Sequence, residues 1–332
     1  MLLYKSIYLN MKNKFTENFI IDKFLKKLNF NKKGTYNFEN DASYLSLNKK
    51  YKLAVTTDTI LENIDFFKKD NPKSIAQKIM TVNLSDIFAM GANPHSYLLN
   101  LCLPSYIDNE WFKNFTQELK KIQLKYNFYL IGGDLSKSKN LIISSTFFGY
   151  IKKNKEVFQN KFNISDEIWV SGNIGDSKIG LEILRKNISL GTNLDNFFIK
   201  KYYYPKPCKL GPKISKYCSS MKDSSDGLIG DLNKILNNKA GALINLKDIP
   251  LSLRVKKIIK SKIEIKLETL LNAGDDYSLI FISNPKNRKK IKNIAFKNKI
   301  KITQIGKIVR TKGIHFDSYI NIDNYREYDH FT

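Results

Sequence analysis

The residues best suited to chemistry in this sequence are aspartates that stand beside threonines, serines or glycines in separate segments of the chain. These segments are Thr56-Thr57-Asp58, Gly132-Gly133-Asp134, Asp223-Ser224-Ser225-Asp226-Gly227 and Gly274-Asp275-Asp276-Tyr277. Carboxylate and hydroxyl oxygens are the ligands that Mg²⁺ prefers. Neighbouring carboxylates repel each other by about 4 kcal/mol per pair at moderate screening, and divalent cations remove that cost. The pattern indicates an all-oxygen site for several Mg²⁺ ions, which would bridge a triphosphate and an acceptor phosphate.

Each of these segments also has a purely structural interpretation. Asp41, considered alone, is best interpreted as a turn residue, and Thr56-Thr57-Asp58 suits the end of a strand as well as it suits a metal site. Gly132-Gly133 permits close approach of the backbone to a ligand, but glycine pairs are also common in simple turns. Ser225 or Asp226 suits an ordinary helix N-cap, and the last segment suits a turn.

Asp86 carries a stronger signal because it interrupts an apolar stripe. Ile75, Ile79, Val82, Asp86 and Met90 are separated by 4, 3, 4 and 4 residues, so they fall on one face of a helix. An aspartate in the middle of that stripe would be buried, and a buried charge needs a partner or a metal. We therefore interpret Asp86 as functional rather than structural.

The sequence lacks the motifs that are typical of several other classes of enzyme. The stretch 172–178 has the wrong spacing for a phosphate-binding P-loop, and the protein-kinase motifs and G-x-S-x-G do not occur. The three histidines lie far apart, and the three cysteines include no C-x-x-C pair. Zinc chemistry and a disulfide framework therefore have little support, and we expect a reducing, cytoplasmic location.

Length, composition and charge narrow the class of protein further. Of the 332 residues, 42% are hydrophobic, which suffices for buried cores and excludes a wholly disordered chain. No apolar run reaches the roughly 18 residues of a membrane-spanning helix. The net charge is +25, but the lysines are spread along the whole chain without an RNA-binding motif. We expect neither nucleic acid nor a membrane as partner, whereas anionic small molecules suit the positive field.

Hydrophobic patterning predicts the elements that must position these residues. Strands are expected at 42–47, 51–58, 97–103, 127–134, 140–151, 167–172, 242–246, 277–283 and 302–309. Helices are expected at 17–28, 73–90, 109–126, 175–186, after Gly227, near 253–261 and at 285–297. The tail 311–332 is expected to be rich in turns.

Strands and helices mix without regular βαβ spacing, which predicts an α+β fold made of two α/β domains. The polar, lysine-rich stretch 152–166 marks the boundary between them. We expect residues 1–15 to be an extension that need not be structured, residues 16–152 to form the N-terminal domain, and residues 153–332 to form the C-terminal domain.

Nine collinear segments between residues 40 and 331 carry a resemblance to a known family, which covers about residues 17–331. They are NDASYL, LAVTTDTI, VNLSDIFAMGANP, LIGGD, VSGNIGDSKIGLEIL, DSSDGLIGDL, GDDYSLIF, IGKI and YDHF. In these segments the chain resembles the thiamine-monophosphate kinase family, whose superfamily includes aminoimidazole ribonucleotide synthetase and selenophosphate synthetase. The resemblance implies direct transfer of the ATP γ-phosphoryl to thiamine monophosphate, which gives thiamine diphosphate and ADP without a phosphoenzyme. It also implies a homodimer that forms through the sheets of an ATP- and Mg²⁺-binding N-terminal domain.

By motif match, the resemblance also implies residue roles. The implied metal ligands are Asp41, Thr56, Thr57, Asp58, Asp86, Asp134, Asp223 and Asp226, of which Asp41, Asp58, Asp134 and Asp223 count as catalytic. The implied ATP contacts are Gly133, Asp134, Ser225 and Gln159. The implied contacts to thiamine monophosphate are Asp65, Asp275 and Tyr328.

Four positions depart from the family pattern. Asn40 replaces the first of two aspartates, Asp65 replaces a histidine, Gln159 stands near an arginine position, and Asp275 replaces a glutamate. Because the core acidic set is intact, we expect an active enzyme. The alternatives are a synthetase-like enzyme of the same superfamily, a degenerate non-catalytic relative, and a basic nucleic-acid-binding protein.

Overall fold

A computed structural model describes residues 40, 42–46, 48–260 and 265–320, which form two β-sheets flanked by helices. The predicted helix at 17–28, Asp41 and Tyr328 lie outside these residues. The first sheet contains β1 (Ser43–Ser46), β2 (Tyr51–Leu61), β3 (Asn93–Leu103), β4 (Tyr129–Lys137) and β5 (Ile142–Lys152). Its strand order is β1-β2-β5-β3-β4, and β3 and β4 are its only parallel neighbours among the described strands.

The second sheet follows in sequence after residue 166. It contains β6 (Glu167–Ser171), β7 (Ser220–Ser224), β8 (Gly241–Ile244), β9 (Ser278–Ser283), β10 (Ile302–Val309) and β11 (Gly313–Phe316). Its strand order is β11-β8-β10-β6-β9-β7. The order places β7, which carries Asp223, at one edge of the sheet beside β9.

Nine α-helices occur in the described part of the chain. They are α1 (Pro72–Ala89), α2 (Asn109–Tyr126), α3 (Asp176–Leu184), α4 (Thr192–Tyr203), α5 (Gly211–Ile214), α6 (Leu228–Leu236), α7 (Leu253–Ile259), α8 (Leu267–Leu271) and α9 (Arg288–Lys297). Short 3₁₀ turns cover Ser215–Tyr217, Leu246–Asp248 and Pro285–Asn287. None of the described helices is long and apolar enough to cross a bilayer.

Helix α1 is the central packing element. Its N-cap Asn71 accepts a hydrogen bond from the backbone N–H of Lys73, and Pro72 occupies its first turn. The helix ends before Gly91, whose φ of +70° suits glycine. Fourteen of its 18 residues are buried, so it is enclosed on more than the single face that its apolar stripe predicts.

Residues from the part of the chain that carries the second sheet also pack against α1. The Gln77 side chain donates to the Pro205 carbonyl oxygen over 2.9 Å. The backbone of Phe88 approaches Gly211 so closely that a Cβ at Gly211 would lie 1.8 Å from the Phe88 oxygen. Helix α1 therefore packs against residues from both halves of the chain.

The mixed α/β architecture with two sheets confirms the predicted fold class, and most predicted strands and helices are present. Five elements were not predicted: α4, α5, β7, α8 and β11. Strand β7 was missed because its sequence, SMKDS, lacks the apolar alternation of a typical strand although all five residues are buried. The expectation of a turn-rich tail is wrong at Gly313–Phe316, which pairs with β8. The proposed domain boundaries stay predictions.

Candidate active site

The first sheet has two faces of different character. One, the covered face, packs against α1 and includes Thr56, Asp58 and Ile60 of β2 with Phe147 of β5. The other, the open face, includes Thr57 and Thr59 of β2, and no element covers it within the described residues. The strict alternation of side chains along β2 produces this division.

Three of the predicted ligands meet on the covered face. The Thr56 hydroxyl donates to the Asp86 carboxylate over 2.6 Å, which ties the end of α1 to β2. Asp58 lies on the same face, two residues further along the strand. Asp86 is half-buried rather than buried as predicted, because it faces the Thr56 hydroxyl instead of the apolar core. Hydroxyl and carboxylate oxygens therefore line this end of the covered face.

Thr57 and Asp134 lie on the open face. Strand pairing aligns Thr59 with Ser144, Ser144 with Asn100, and Asn100 with Asp134, so these four side chains share one face. The Asp134 carboxylate accepts a hydrogen bond from the Ser136 hydroxyl over 2.8 Å. Within one copy of the chain, the predicted ligands are thus divided between two faces of the sheet.

Gly133 has a structural role in the sheet. A Cβ at this position would lie 1.8 Å from the carbonyl oxygen of Leu99 on β3. Any larger residue would therefore separate β3 from β4. The sequence predicted a close approach of the backbone to a ligand here, and the structure shows a close approach to the neighbouring strand.

The segment that contains Asp223 runs from the end of β7 into α6. Asp223 is almost fully buried, and the Lys222 ammonium lies 3.6 Å from its carboxylate and 3.7 Å from that of Asp231. Asp226 pairs with Lys234 over 2.6 Å. Gly227 is the N-cap of α6, without a side-chain capping bond, so neither Ser225 nor Asp226 serves as the ordinary cap that the sequence allowed.

The loop 274–277 rests on this segment. A Cβ at Gly274 would lie 1.9 Å from the Ser225 carbonyl oxygen. The backbone N–H groups of Asp275 and Tyr277 donate to the carbonyls of Ser225 and Ser224, both over 3.1 Å. Two acidic segments that lie about fifty residues apart in the sequence therefore form one unit.

Tyr277 lies where acids from both halves of the chain converge. Its hydroxyl donates to the Asp275 carboxylate over 2.9 Å. Burial raises the pKa of Tyr277 well above its usual value, and the negative charges of Asp275, Asp223 and Asp58 raise it further. Asp58 belongs to the first sheet and Asp223 to the second. Helix α1 packs against the covered face and also against β7, so the predicted ligands of both sheets lie on elements that contact α1.

The remaining predicted site residues have local partners. The Asp65 carboxylate accepts a hydrogen bond from the backbone N–H of Leu61 over 2.8 Å. Gln159 is buried, and its backbone N–H donates to the Asn40 side chain over 3.0 Å. Among the described residues, the Gln159 side-chain nitrogen has no hydrogen-bond partner. Asn40, which replaces a family aspartate, thus positions the segment that carries Gln159.

Sequence reasoning missed the lysines at this site and the role of Asp276. Lys78, Lys222 and Lys234 each contact an acidic residue of the site. Asp276 accepts hydrogen bonds from the backbone N–H groups of Gly175 and Ser177, and burial raises its pKa to about 7. Lys78 stands among the apolar residues of α1. A lysine in such a position could have been identified from the sequence as a candidate functional residue.

The sequence is similar over most of its length to curated thiamine-monophosphate kinases. The enzyme of Buchnera aphidicola subsp. Acyrthosiphon pisum is 38% identical over 304 residues, which are 89% of this chain and 91% of the relative. This chain belongs to the thiamine-monophosphate kinase family. The family member of Haemophilus influenzae is 34% identical over 301 residues, which are 88% of this chain and 90% of the relative.

Solved structures of the family share the fold. AaThiL complexed with AMPPCP and TMP matches with a TM-score of 0.83 at 26% identity, covering 96% of this chain and 98% of that one. The thiamine monophosphate kinase of Aquifex aeolicus matches with a TM-score of 0.74 at 26% identity, covering 83% and 91%. Residues 39–151 match the family model for the AIR synthase related protein, N-terminal domain, a range that includes the first sheet except Lys152, the last residue of β5.

The donor set of this thiamine-monophosphate kinase family member fits hard divalent cations, because it consists of carboxylate and hydroxyl oxygens. Within the described residues, however, no three acidic, histidine or cysteine side chains are already close enough to hold a metal ion. Thr56, Asp58 and Asp86 come from the first sheet and its helix, whereas Asp223 comes from the second. Ligand oxygens from a bound substrate would have to complete such a site.

Proposed function

We propose that this family member transfers the γ-phosphoryl group of ATP directly to the phosphate of thiamine monophosphate, which gives thiamine diphosphate and ADP. The observation that carries the proposal is the packing of α1 against both sheets, which brings Thr56 and Asp86 of the covered face towards β7 and its Asp223. Membership of the thiamine-monophosphate kinase family supports it, as does the likeness to a structure that contains AMPPCP and TMP.

Thr56, Asp58, Asp86 and Asp223 would hold Mg²⁺ at this site, with Asp41 as a further ligand by resemblance. When bound, Mg²⁺ neutralises the negative charge of the phosphate oxygens. The chain itself orients these ligands: Thr56 holds the Asp86 carboxylate, and Lys222 lies beside that of Asp223. Asp226 stays a predicted ligand, although Lys234 already neutralises it in the structure.

The substrates would occupy the region between the acidic segments. Ser225, Gln159 and Gly133 stay the predicted contacts to ATP. Asp65, Asp275 and Tyr328 stay the predicted contacts to the thiamine portion. Direct transfer needs no protein nucleophile, because an oxygen of the acceptor phosphate attacks the γ-phosphorus and the β–γ bridging oxygen leaves with ADP. The chain's contribution is to position both substrates and to exclude water.

We further propose a cytoplasmic homodimer in which the open face of one copy packs against that of the other. The open face has no covering element among the described residues. Strand β4, at the edge of this sheet, is exposed along its whole length, and its apolar side chains Tyr129, Leu130, Ile131 and Leu135 are exposed on the two sides of the strand. Exposed apolar side chains grouped in this way are typical of a protein–protein interface.

The decisive experiment incubates the purified protein with ATP, Mg²⁺ and thiamine monophosphate and measures thiamine diphosphate and ADP by chromatography. We expect the two products in equal amounts. Thiamine in place of its monophosphate is the control, because it lacks the acceptor phosphate and should give no thiamine diphosphate. A folded protein that forms no product would contradict the proposal and favour the degenerate interpretation.

A further inference from the structure

Lys78 is one of only two buried lysines among the described residues. It lies on α1, beneath the first sheet, and its ammonium reaches across to the loop 274–277. Its Nζ is 3.2 Å from Asp275 Oδ1 and 3.3 Å from Asp275 Oδ2, so both carboxylate oxygens are contacted. The two residues are 197 positions apart in the sequence.

Two further groups complete the surroundings of this ammonium. Lys78 Nζ donates to the Asp65 carbonyl oxygen over 2.7 Å and lies 4.9 Å from the centre of the Tyr202 ring. Burial lowers the pKa of Lys78, but Asp275, Tyr202 and Asp65 raise it by more, so its pKa lies above the usual value. Lys78 is therefore a charged group with a carboxylate, a carbonyl and an aromatic face around it.

The backbone of the loop does not by itself fix the direction of the Asp275 carboxylate. Asp275 has a φ of +66° and Tyr277 a φ of +48°, and their backbone N–H groups bond to the segment after β7. The side-chain carboxylate is then held from two sides, by the Tyr277 hydroxyl at 2.9 Å and by Lys78. Removal of Lys78 leaves a part-buried carboxylate with one fixed contact and freedom to turn.

We propose that Lys78 is a positioning residue of the substrate site: it joins α1 to the loop 274–277 and holds the Asp275 carboxylate and the Asp65 turn in place for the thiamine portion. This inference rests on the proposed function. Asp65 and Asp275 are the two predicted substrate contacts that depart from the family pattern. The Lys78 ammonium contacts both residues and so connects them. Asp275 is shorter than the family's glutamate, and Lys78 fixes where its carboxylate lies.

The direction in which the affinity for thiamine monophosphate changes when Lys78 is removed tests this inference. Thiamine carries a positive charge, so removing the Lys78 cation without any change of geometry would tighten its binding to Asp275. Loss of the carboxylate's orientation would weaken that binding instead. Weaker binding of thiamine monophosphate is therefore the signature of positioning, and tighter binding is the signature of simple charge balance.

The experiment compares Lys78→Met with the control Lys178→Met, which removes a surface lysine that pairs with Glu182 on α3. For Lys78→Met we expect the KM for thiamine monophosphate to rise about tenfold, while the KM for ATP changes less than about twofold. Lys178→Met should leave both values near wild type. An equal rise in both KM values, or a lower KM for thiamine monophosphate, would overturn the proposal.

A double-mutant cycle with Asp275→Asn separates positioning from general stability. If Lys78 acts through Asp275, Lys78→Met should have little further effect on the KM for thiamine monophosphate in the Asp275→Asn background. An undiminished effect there would mean that Lys78 acts elsewhere. Should Lys78→Met not fold, Asp275→Asn alone decides: an unchanged KM for thiamine monophosphate contradicts the proposal, and a selective rise supports it.

Failure of the proposed function would look different from failure of this inference. A wild-type protein that forms no thiamine diphosphate refutes the proposed function alone. Calorimetric titration with thiamine monophosphate, without ATP, then tests Lys78 by the same comparison of variants. Wild-type affinity in Lys78→Met would overturn the positioning role, and affinity about tenfold weaker would support it.

Discussion

The two faces of the first sheet show how one short motif can serve two different purposes. Thr56 and Asp58 face α1, where Thr56 bonds to Asp86. Thr57, between them, faces the opposite side and contacts Thr146 on β5 at 3.0 Å. Helix α1, which packs against the covered face, also packs against β7 of the second sheet, which carries Asp223. The open face carries Asp134. Residues that are adjacent in sequence therefore cannot all act on one ligand cage within one copy of the chain.

The largest effect is expected from Asp58→Asn on the covered face. This substitution removes a carboxylate on the covered face, two residues from Thr56, which bonds to Asp86, and we expect kcat/KM to fall on the order of 10³-fold. Thr59→Val, at the next residue along the strand and therefore on the open face, is the matched control and should keep activity within a few-fold of wild type. Steady-state kinetics checks both, with thermal unfolding to confirm that each variant folds. Near-normal activity of Asp58→Asn would remove the metal assignment of the covered face.

Asp134→Asn tests whether the open face belongs to an active site. We expect a loss of about 10²-fold in kcat/KM, even though Asp134 lies on the face opposite Asp58. The physical reason is that the family resemblance makes the Asp134 carboxylate a metal ligand, whichever copy's site it serves.

Subunit mixing distinguishes the partner's site from the chain's own. Asp58→Asn and Asp134→Asn proteins, each nearly inactive, are mixed under conditions that allow exchange. If each site combines Asp58 of one copy with Asp134 of the other, mixed dimers contain one intact site, and about a quarter of wild-type activity should return. If no activity returns although exchange is demonstrated, Asp134 serves the copy to which it belongs.

Leu98→Lys tests whether the open face of the first sheet is the dimer interface. Leu98 shares the open face with Thr146 in the strand pairing, and a lysine there would place a charge in the proposed interface. We expect sedimentation velocity to show monomers where the wild type is dimeric. Leu124→Lys on α2 is the control, since Leu124 is already 75% exposed, and it should stay dimeric. A dimeric Leu98→Lys protein would mean that the open face is not the interface.

Sequence reasoning predicted those parts of this site that depend on local periodicity. The predicted strand at 51–58 is present, and its alternation separates Thr57 from Thr56 and Asp58. The stripe of α1 predicted a buried Asp86, but the side chain is half-buried and bonds to Thr56. What it missed depends on contacts between distant segments. The Lys78–Asp275 pair spans 197 positions, and no propensity or spacing encodes such a pairing. Strand β7 was missed for a related reason, since its polar residues are buried only because β9 and α6 surround them.

The smallest effect, and the most direct test of the two faces, comes from the neighbouring substitutions Thr56→Val and Thr57→Val. Both replace a hydroxyl by a methyl group on the same strand, so any difference between them reports the face rather than the strand. Thr56→Val removes the bond to Asp86 on the covered face, and we expect about a tenfold loss of kcat/KM and about 1 kcal/mol of unfolding free energy. Thr57→Val removes a part-buried contact of 3.2 Å to the Ser145 carbonyl oxygen and an exposed one to Thr146, so its unfolding free energy should stay within about 0.5 kcal/mol of wild type. Denaturant titration and steady-state kinetics on the two variants give the comparison, and equal effects would show that the division between the faces has no bearing on the reaction.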